Sequence, residues 1–125
     1  MIDATPYKTR SPKFLHKELV RILNKLRMRD WQVKLVITKG DFPNEVPAKF
    51  NEEYCPACCT FHKHHLHATI WISIANCKLN DVDPLFGLYH EVFHIFKEYD
   101  RGDELFCNIL ADLVRNPGDA NAKRK

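Results

Sequence analysis

Apolar positions recur along the chain first at helical spacing, then in alternation, then at helical spacing again. Leu15, Leu19, Ile22, Leu23 and Leu26 fall at i, i+4, i+7, i+8 and i+11, one stripe of an α-helix. Ser11-Pro12 supplies its start, a capping side chain followed by proline at the first helical position, and the helix is predicted to end near Arg29. Trp31, Val33, Leu35 and Ile37 then alternate with Gln32, Lys34 and Val36, which predicts a strand. Residues 39–53 hold Gly40, Pro43, Asn44 and Pro47 and read as a loop or a broken strand connection. Leu66, Ala68, Ile70, Ile72 and Ile74 alternate with His67, Thr69, Trp71 and Ser73, a second strand with one aliphatic face.

Asp83-Pro84 opens a second long helix, expected to run to about Tyr99 and to stop at Gly102. A final helix is predicted from Asp103 to about Arg115, burying Leu105, Ile109, Leu110 and Leu113, before Asn116-Pro117-Gly118 ends it. The order helix, strands, helix, helix predicts an α+β domain. Residues 1–10 read as an irregular arm, 11–117 as the domain and 118–125 as a disordered polar tail.

Composition narrows the class without changing this outline. At 125 residues the chain is one domain, large enough to bury a core without disulfides. The absence of an 18-residue apolar run argues against a membrane span. Met1 to Pro6 lack the basic-then-apolar order of a signal peptide, so the expected location is the cytoplasm. Five cysteines fit free thiols or metal ligands better than a disulfide framework. The net charge of +3 gathers on Lys13, Lys17, Arg21, Lys25, Arg27 and Arg29 and on Lys123-Arg124-Lys125. That reads as a solvated face rather than a nucleic-acid surface.

The chemistry is concentrated in His90-Glu91-Val92-Phe93-His94, an H-E-x-x-H string. Random order of this composition would produce it in about two chains per hundred. On a helix, i and i+4 share a face, so His90 and His94 aim at one point, as two ligands of a Zn²⁺ ion would. Glu91 leaves the helix about 100° further round, within reach of a water on the metal rather than of the metal itself. Phe86, Tyr89, Val92, Phe93 and Phe96 surround the string, so the helix is expected to be buried. Buried imidazoles and a buried carboxylate would each cost several kcal/mol without partners. Two ligands, one general base and an open coordination position are what a metal-dependent hydrolase requires.

A third ligand is sought downstream. Asp100 stands six residues past His94, where H-E-x-x-H-x-x-G-x-x-H/D sites place theirs, but Lys97 occupies the glycine position that turns such a chain back. Glu104 is the better candidate: Gly102 allows the chain to reverse, and the next helix then begins beside the first. Asp103 is the more natural cap of that helix. Glu104-Leu105-Phe106-Cys107-Asn108-Ile109-Leu110-Ala111, with Pro117 soon after, resembles the E-x-x-A-N-x-x-A…P segment of the ImmA/IrrE-type metallopeptidases, with Cys107 where alanine is usual. The resemblance spans roughly residues 28–117 in organisation and is specific over the two motif segments. Members of that family are small gluzincin-like proteins found with phage repressors, mobile elements and stress regulators. Membership would imply a zincin-like domain, one catalytic zinc on His90, His94 and Glu104, and limited proteolysis of a specific protein. It would also imply that the strand Leu66–Ile74 is an edge that pairs with an extended substrate.

Cys55-Pro56-Ala57-Cys58-Cys59, followed by His62, His64, His65 and His67, is the second unusual stretch. Its C-x-x-C turn can hold a second, structural zinc through Cys55 and Cys58, completed by a histidine pair. It reads equally as an exposed loop with incidental histidines or as half-buried thiols. As a loop bordering the cleft, it could bring His64, His65 or His67 to the oxyanion. The expected function is a zinc metallopeptidase with Glu91 as general base. The alternative is a zinc-binding regulatory or nucleic-acid-associated module without turnover.

Overall fold

Helix α1 (Pro12–Lys25) begins where Ser11 Oγ accepts the Phe14 N–H at 3.1 Å. Leu15, Leu19 and Ile22 are buried, and Leu23 and Leu26 pack at the margin of the same core. The helix ends at Lys25, short of the expected Arg29. Arg27 takes a left-handed φ of 59°, and Met28 N–H donates to the Leu23 carbonyl at 2.9 Å while Arg27 N–H donates to Asn24 at 3.1 Å. That pair of bonds closes a helix end, and the apolar stripe alone cannot reveal it. The structure is a computed structural model that describes residues 6–62, 66–96, 108, 111 and 112, with the backbone alone at 61 and 62.

Three strands form the sheet, β1 (Gln32–Thr38), β2 (Ala57–His62) and β3 (His67–Ser73), in the order β1-β3-β2. β1 runs parallel to β3, pairing Gln32 with His67 through to Thr38 with Ser73. β2 runs antiparallel to β3, pairing Ala57 with Ile72 through to His62 with His67. β3 is therefore the central strand, and the expectation that it offers an edge to a substrate is overturned: both its edges are taken. Among the described residues β1 and β2 are the outer strands, and β2 lies in a stretch whose run of small residues carries no aliphatic alternation to announce it.

One face of the sheet, with Leu35, Ala68, Ile70 and Ile72, packs into the main core under α1 and the motif helix. The other carries Trp71 and Cys58, covered by Phe42 and Val46 from the segment after β1. That segment is not a bare connection. It holds the short helix α2 (Ala48–Glu52), and the Asn51 side chain clamps Phe42, accepting its N–H at 2.8 Å and donating to its carbonyl at 3.0 Å. Helix α3 (Ile74–Leu79) follows β3 at once, capped by Ser73 Oγ at 3.1 Å from Asn76 N. Ile74 continues the alternation of β3, so by pattern alone it reads as strand.

Helix α4 (Pro84–Phe96) carries the motif. The fully buried Asp83 caps it, accepting Leu85 N–H at 2.9 Å, and holds the Arg10 guanidinium in a two-pronged ion pair at 3.0 and 2.7 Å. Residues 6–10 have no regular structure but are tied down by that pair and by Tyr7 N–H donating to Asp81 at 3.0 Å. Tyr89, on α4, accepts from Arg21 at 2.7 Å and donates to Glu18, which fastens α4 to α1. The fold is α+β. The expected continuation of α4 to Tyr99, the stop at Gly102 and the tail at 118–125 lie outside the described residues. Within the predicted last helix, Asn108, Ala111 and Asp112 are helical, and Ala111 is fully buried in the main core. No described helix is long and apolar enough to cross a membrane.

Candidate metal centre

Helical spacing brings His90 and His94 together as predicted. Their Nε2 atoms stand 2.9 Å apart, with the rings nearly perpendicular at 76°. Two nitrogens on a tetrahedral zinc, each at 2.0–2.1 Å, would be separated by about 3.3 Å. The pair is thus within a few tenths of an ångström of the required spread, a change that small side-chain rotations can supply. Two imidazoles turned to one point are a donor set that suits zinc.

His90 and Glu91 are buried, at 9% and 7% exposure, while His94 is half-buried. A cleft of about 230 Å³ opens against the first two. His90, Glu91 and Asn108 form its polar wall, and Cys55, Pro56, Ala57, Val82, Phe86 and Gly87 the remainder. Gly87 allows the helix to lie on the strand: a Cβ there would stand 3.3 Å from the Ala57 Cβ, tighter than most such contacts. Because Gly87 and Glu91 are four residues apart, that close approach also sets Glu91 beside β2. The Cys58 thiol is pushed up to about 12, chiefly by burial and then by the negative charges of Glu91 and Cys55.

The cysteine–histidine stretch is divided by the fold. Cys58 is buried in the back cluster with Phe42, Val46 and Trp71, and Cys55 borders both that cluster and the cleft. His67 is exposed at the start of β3, at the end of the ladder away from the Ala57–Ile72 pair. Among the described residues, no group of three or more His, Cys, Asp or Glu side chains gathers that could hold a metal. Glu104, Asp100, His64 and His65 lie outside the described residues. Cys55 borders the cleft, as one reading of its stretch expected, and Asn108 of the motif-like segment lines it too, whereas Val82 reaches it without any signal of that role in the sequence. No protein-family model, no curated protein and no solved structure matches the chain.

Proposed function

We propose that the protein is a zinc-dependent peptidase in which Glu91 is the general base. The observation that carries this reading is the convergence of His90 Nε2 and His94 Nε2 at 2.9 Å on a buried helix, with Glu91 buried on the wall of an adjoining cleft. His90 and His94 would hold the ion. Glu104 is the proposed third ligand, with Asp100 the alternative. Asn108, from the motif-like segment that Glu104 opens in the sequence, lines the cleft. Zinc, when bound, supplies a Lewis acid that acidifies water and polarises a scissile carbonyl.

Glu91 takes a proton from the attacking water and returns it to the leaving amine. The cleft admits a peptide while keeping the carboxylate largely out of bulk solvent. Among the described residues β2 is an outer strand, and Ala57 at its start borders the cleft. An extended substrate adding to that edge would be held by backbone hydrogen bonds that do not depend on its side chains. A purely structural zinc is closed by four protein ligands and has no use for a buried carboxylate beside an open cleft. An odd number of cysteines, which suits thiols or metal ligands better than a disulfide framework, favours a reducing compartment, the cytoplasm. Limited proteolysis of one specific protein is the activity that the ImmA/IrrE resemblance suggests.

Glu91→Gln tests the mechanism. Zinc content by mass spectrometry is expected to stay at that of the wild type. Chelator-sensitive cleavage of proteins in a lysate is expected to fall by about 10²–10⁴-fold, the contribution of a general base. Cleavage that persists in the variant would end this reading.

A further inference from the structure

We infer that the exposed face of α1 and the turn after it bind the phosphate backbone of duplex DNA, without regard to base sequence. This surface lies away from the cleft and does not rest on the peptidase reading. Residues 12–29 hold six Lys and Arg against one Glu, a net +5 in a chain whose total is +3, so the remainder is net −2. Lys13, Lys17, Val20 and Asn24 stand at i, i+4, i+7 and i+11 of α1, all exposed, on the side opposite the buried Leu15, Leu19 and Ile22. Lys25, Arg27 and Arg29 extend this surface past the helix end, where a left-handed φ of 59° at Arg27 turns the chain. The ion pairs among the described residues, Arg10–Asp83 and Arg21–Glu18, use none of Lys13, Lys17, Lys25, Arg27 and Arg29. From Lys13 to Lys25 the helix spans about 18 Å. One strand of DNA carries about five phosphates over that length.

Composition and shape choose the partner. Asn24, Arg27, Arg29 and Asp30 line a cavity of about 420 Å³, where two guanidiniums and an amide outweigh a single carboxylate and can take one phosphate. A protein interface needs an apolar centre, and Val20 is the only large apolar side chain that α1 exposes. A membrane-surface helix buries its apolar face in lipid, whereas that face of α1 is packed into the core. Proteins that hold single strands stack bases on aromatic side chains, and the one aromatic residue of α1, Phe14, is half-buried against the core. Duplex DNA asks for none of these, only for a polar and strongly positive surface. The charge also has direction. Asp41, Glu45, Glu52 and Glu53 belong to the segment that covers the other face of the sheet, so the field of DNA turns α1 toward it. Tyr89, which bonds Arg21, and Glu91 on the cleft wall are two residues apart on α4, about 200° of turn. DNA on α1 therefore leaves the cleft open.

Fluorescence anisotropy of the full chain with a labelled 20-base-pair duplex tests this. Unrelated duplexes are expected to bind equally, and log K to fall against log [salt] with a slope of about −4, as for four or five neutralised phosphates. Lys13→Gln/Lys17→Gln and Arg27→Gln/Arg29→Gln should each reduce the slope by about 2. Lys39→Gln/Lys49→Gln, the same change of charge away from α1, should leave it as in the wild type. All these side chains but that of Lys49, which lies on Phe50, make no described contact, so an unchanged Tm is expected to accompany the loss. No binding at low salt, or an equal loss in all three variants, would overturn the inference. So would binding lost only in Lys123→Gln/Arg124→Gln/Lys125→Gln, which places it in the tail, or a single strand held more tightly than the duplex. Displacement of the duplex by poly-glutamate at equal charge would reassign the face to an acidic protein and overturn it too.

Discussion

Cys77 is fully buried, and its thiol is pushed up to about 12, by burial first and by the charge of Asp83 second. In an unfolded chain the same group titrates near about 8.5. Between those values the folded state keeps a proton that the unfolded state has lost. Stability is then complete below about pH 8.5 and declines as pH rises through the window, by at most about 1.4 kcal/mol per pH unit for one such group. Cys58 and Tyr89, also pushed up to about 12, act with the same sign, Tyr89 only above about pH 10. Urea midpoints measured from pH 8 to 11 should fall with pH, and Cys77→Ala should show a shallower fall than the wild type. Iodoacetamide at pH 8 should spare Cys77 in the folded protein; labelling as fast as in urea would show that the site is open.

At the scale of elements, Asp83 joins two jobs in one buried carboxylate: it caps α4 and neutralises Arg10, whose side chain is 22% exposed. Asp83→Ala loses the cap, about 1 kcal/mol, and leaves a half-buried guanidinium unpaired, for a total of about 2–4 kcal/mol in urea denaturation. Asp83→Asn keeps a capping oxygen and should fall between. A loss below about 0.5 kcal/mol in Asp83→Ala would mean that neither contact matters to α4. The capping role was legible because Asp-Pro is a local signal, as were the stripes of α1 and α4 and the alternation of β1 and β3. Three elements were not legible. β2 opens on Ala57, Cys58, Cys59 and Thr60, too small to show a pattern before Phe61 and His62, and exists through its pairing with β3. α3 is six residues long and begins on Ile74, which extends the β3 alternation. α2 is only five residues, behind proline, in a segment rich in turn formers. The placing of β3 at the centre depends on non-local pairing, which no single segment encodes. The same division holds at the site: His90, Glu91 and His94 follow from spacing on one helix, whereas the cleft wall joins Cys55–Ala57, Val82 and Asn108 from three separate segments.

Across the whole molecule, α4 is the element against which the others pack. It lies over β2 and β3, is fastened to α1 through Tyr89, and shares the main core with Ala111. A metal held by His90 and His94 is thus linked to global unfolding rather than to the fraying of a loop, because unfolding α4 dismantles the core. A ligand that binds only the folded state stabilises it by RT ln(1 + [L]/Kd), about 2.7 kcal/mol at a hundredfold excess over Kd. For a domain of this size that corresponds to a rise in Tm of about 10 °C. Zinc should produce such a shift in the wild type, and a chelator should reverse it. His94→Ala should abolish it, since one imidazole of the converging pair is gone. Glu91→Gln should retain it, because Glu91 acts as a base and not as a ligand. The third position is then decided by comparison: Glu104→Ala is expected to lose most of the shift and Asp100→Ala to keep it, and the opposite order would move the ligand role to Asp100. An equal zinc response in the wild type and His94→Ala would place any bound metal elsewhere and leave the convergence of the two rings as a hydrogen bond between histidines.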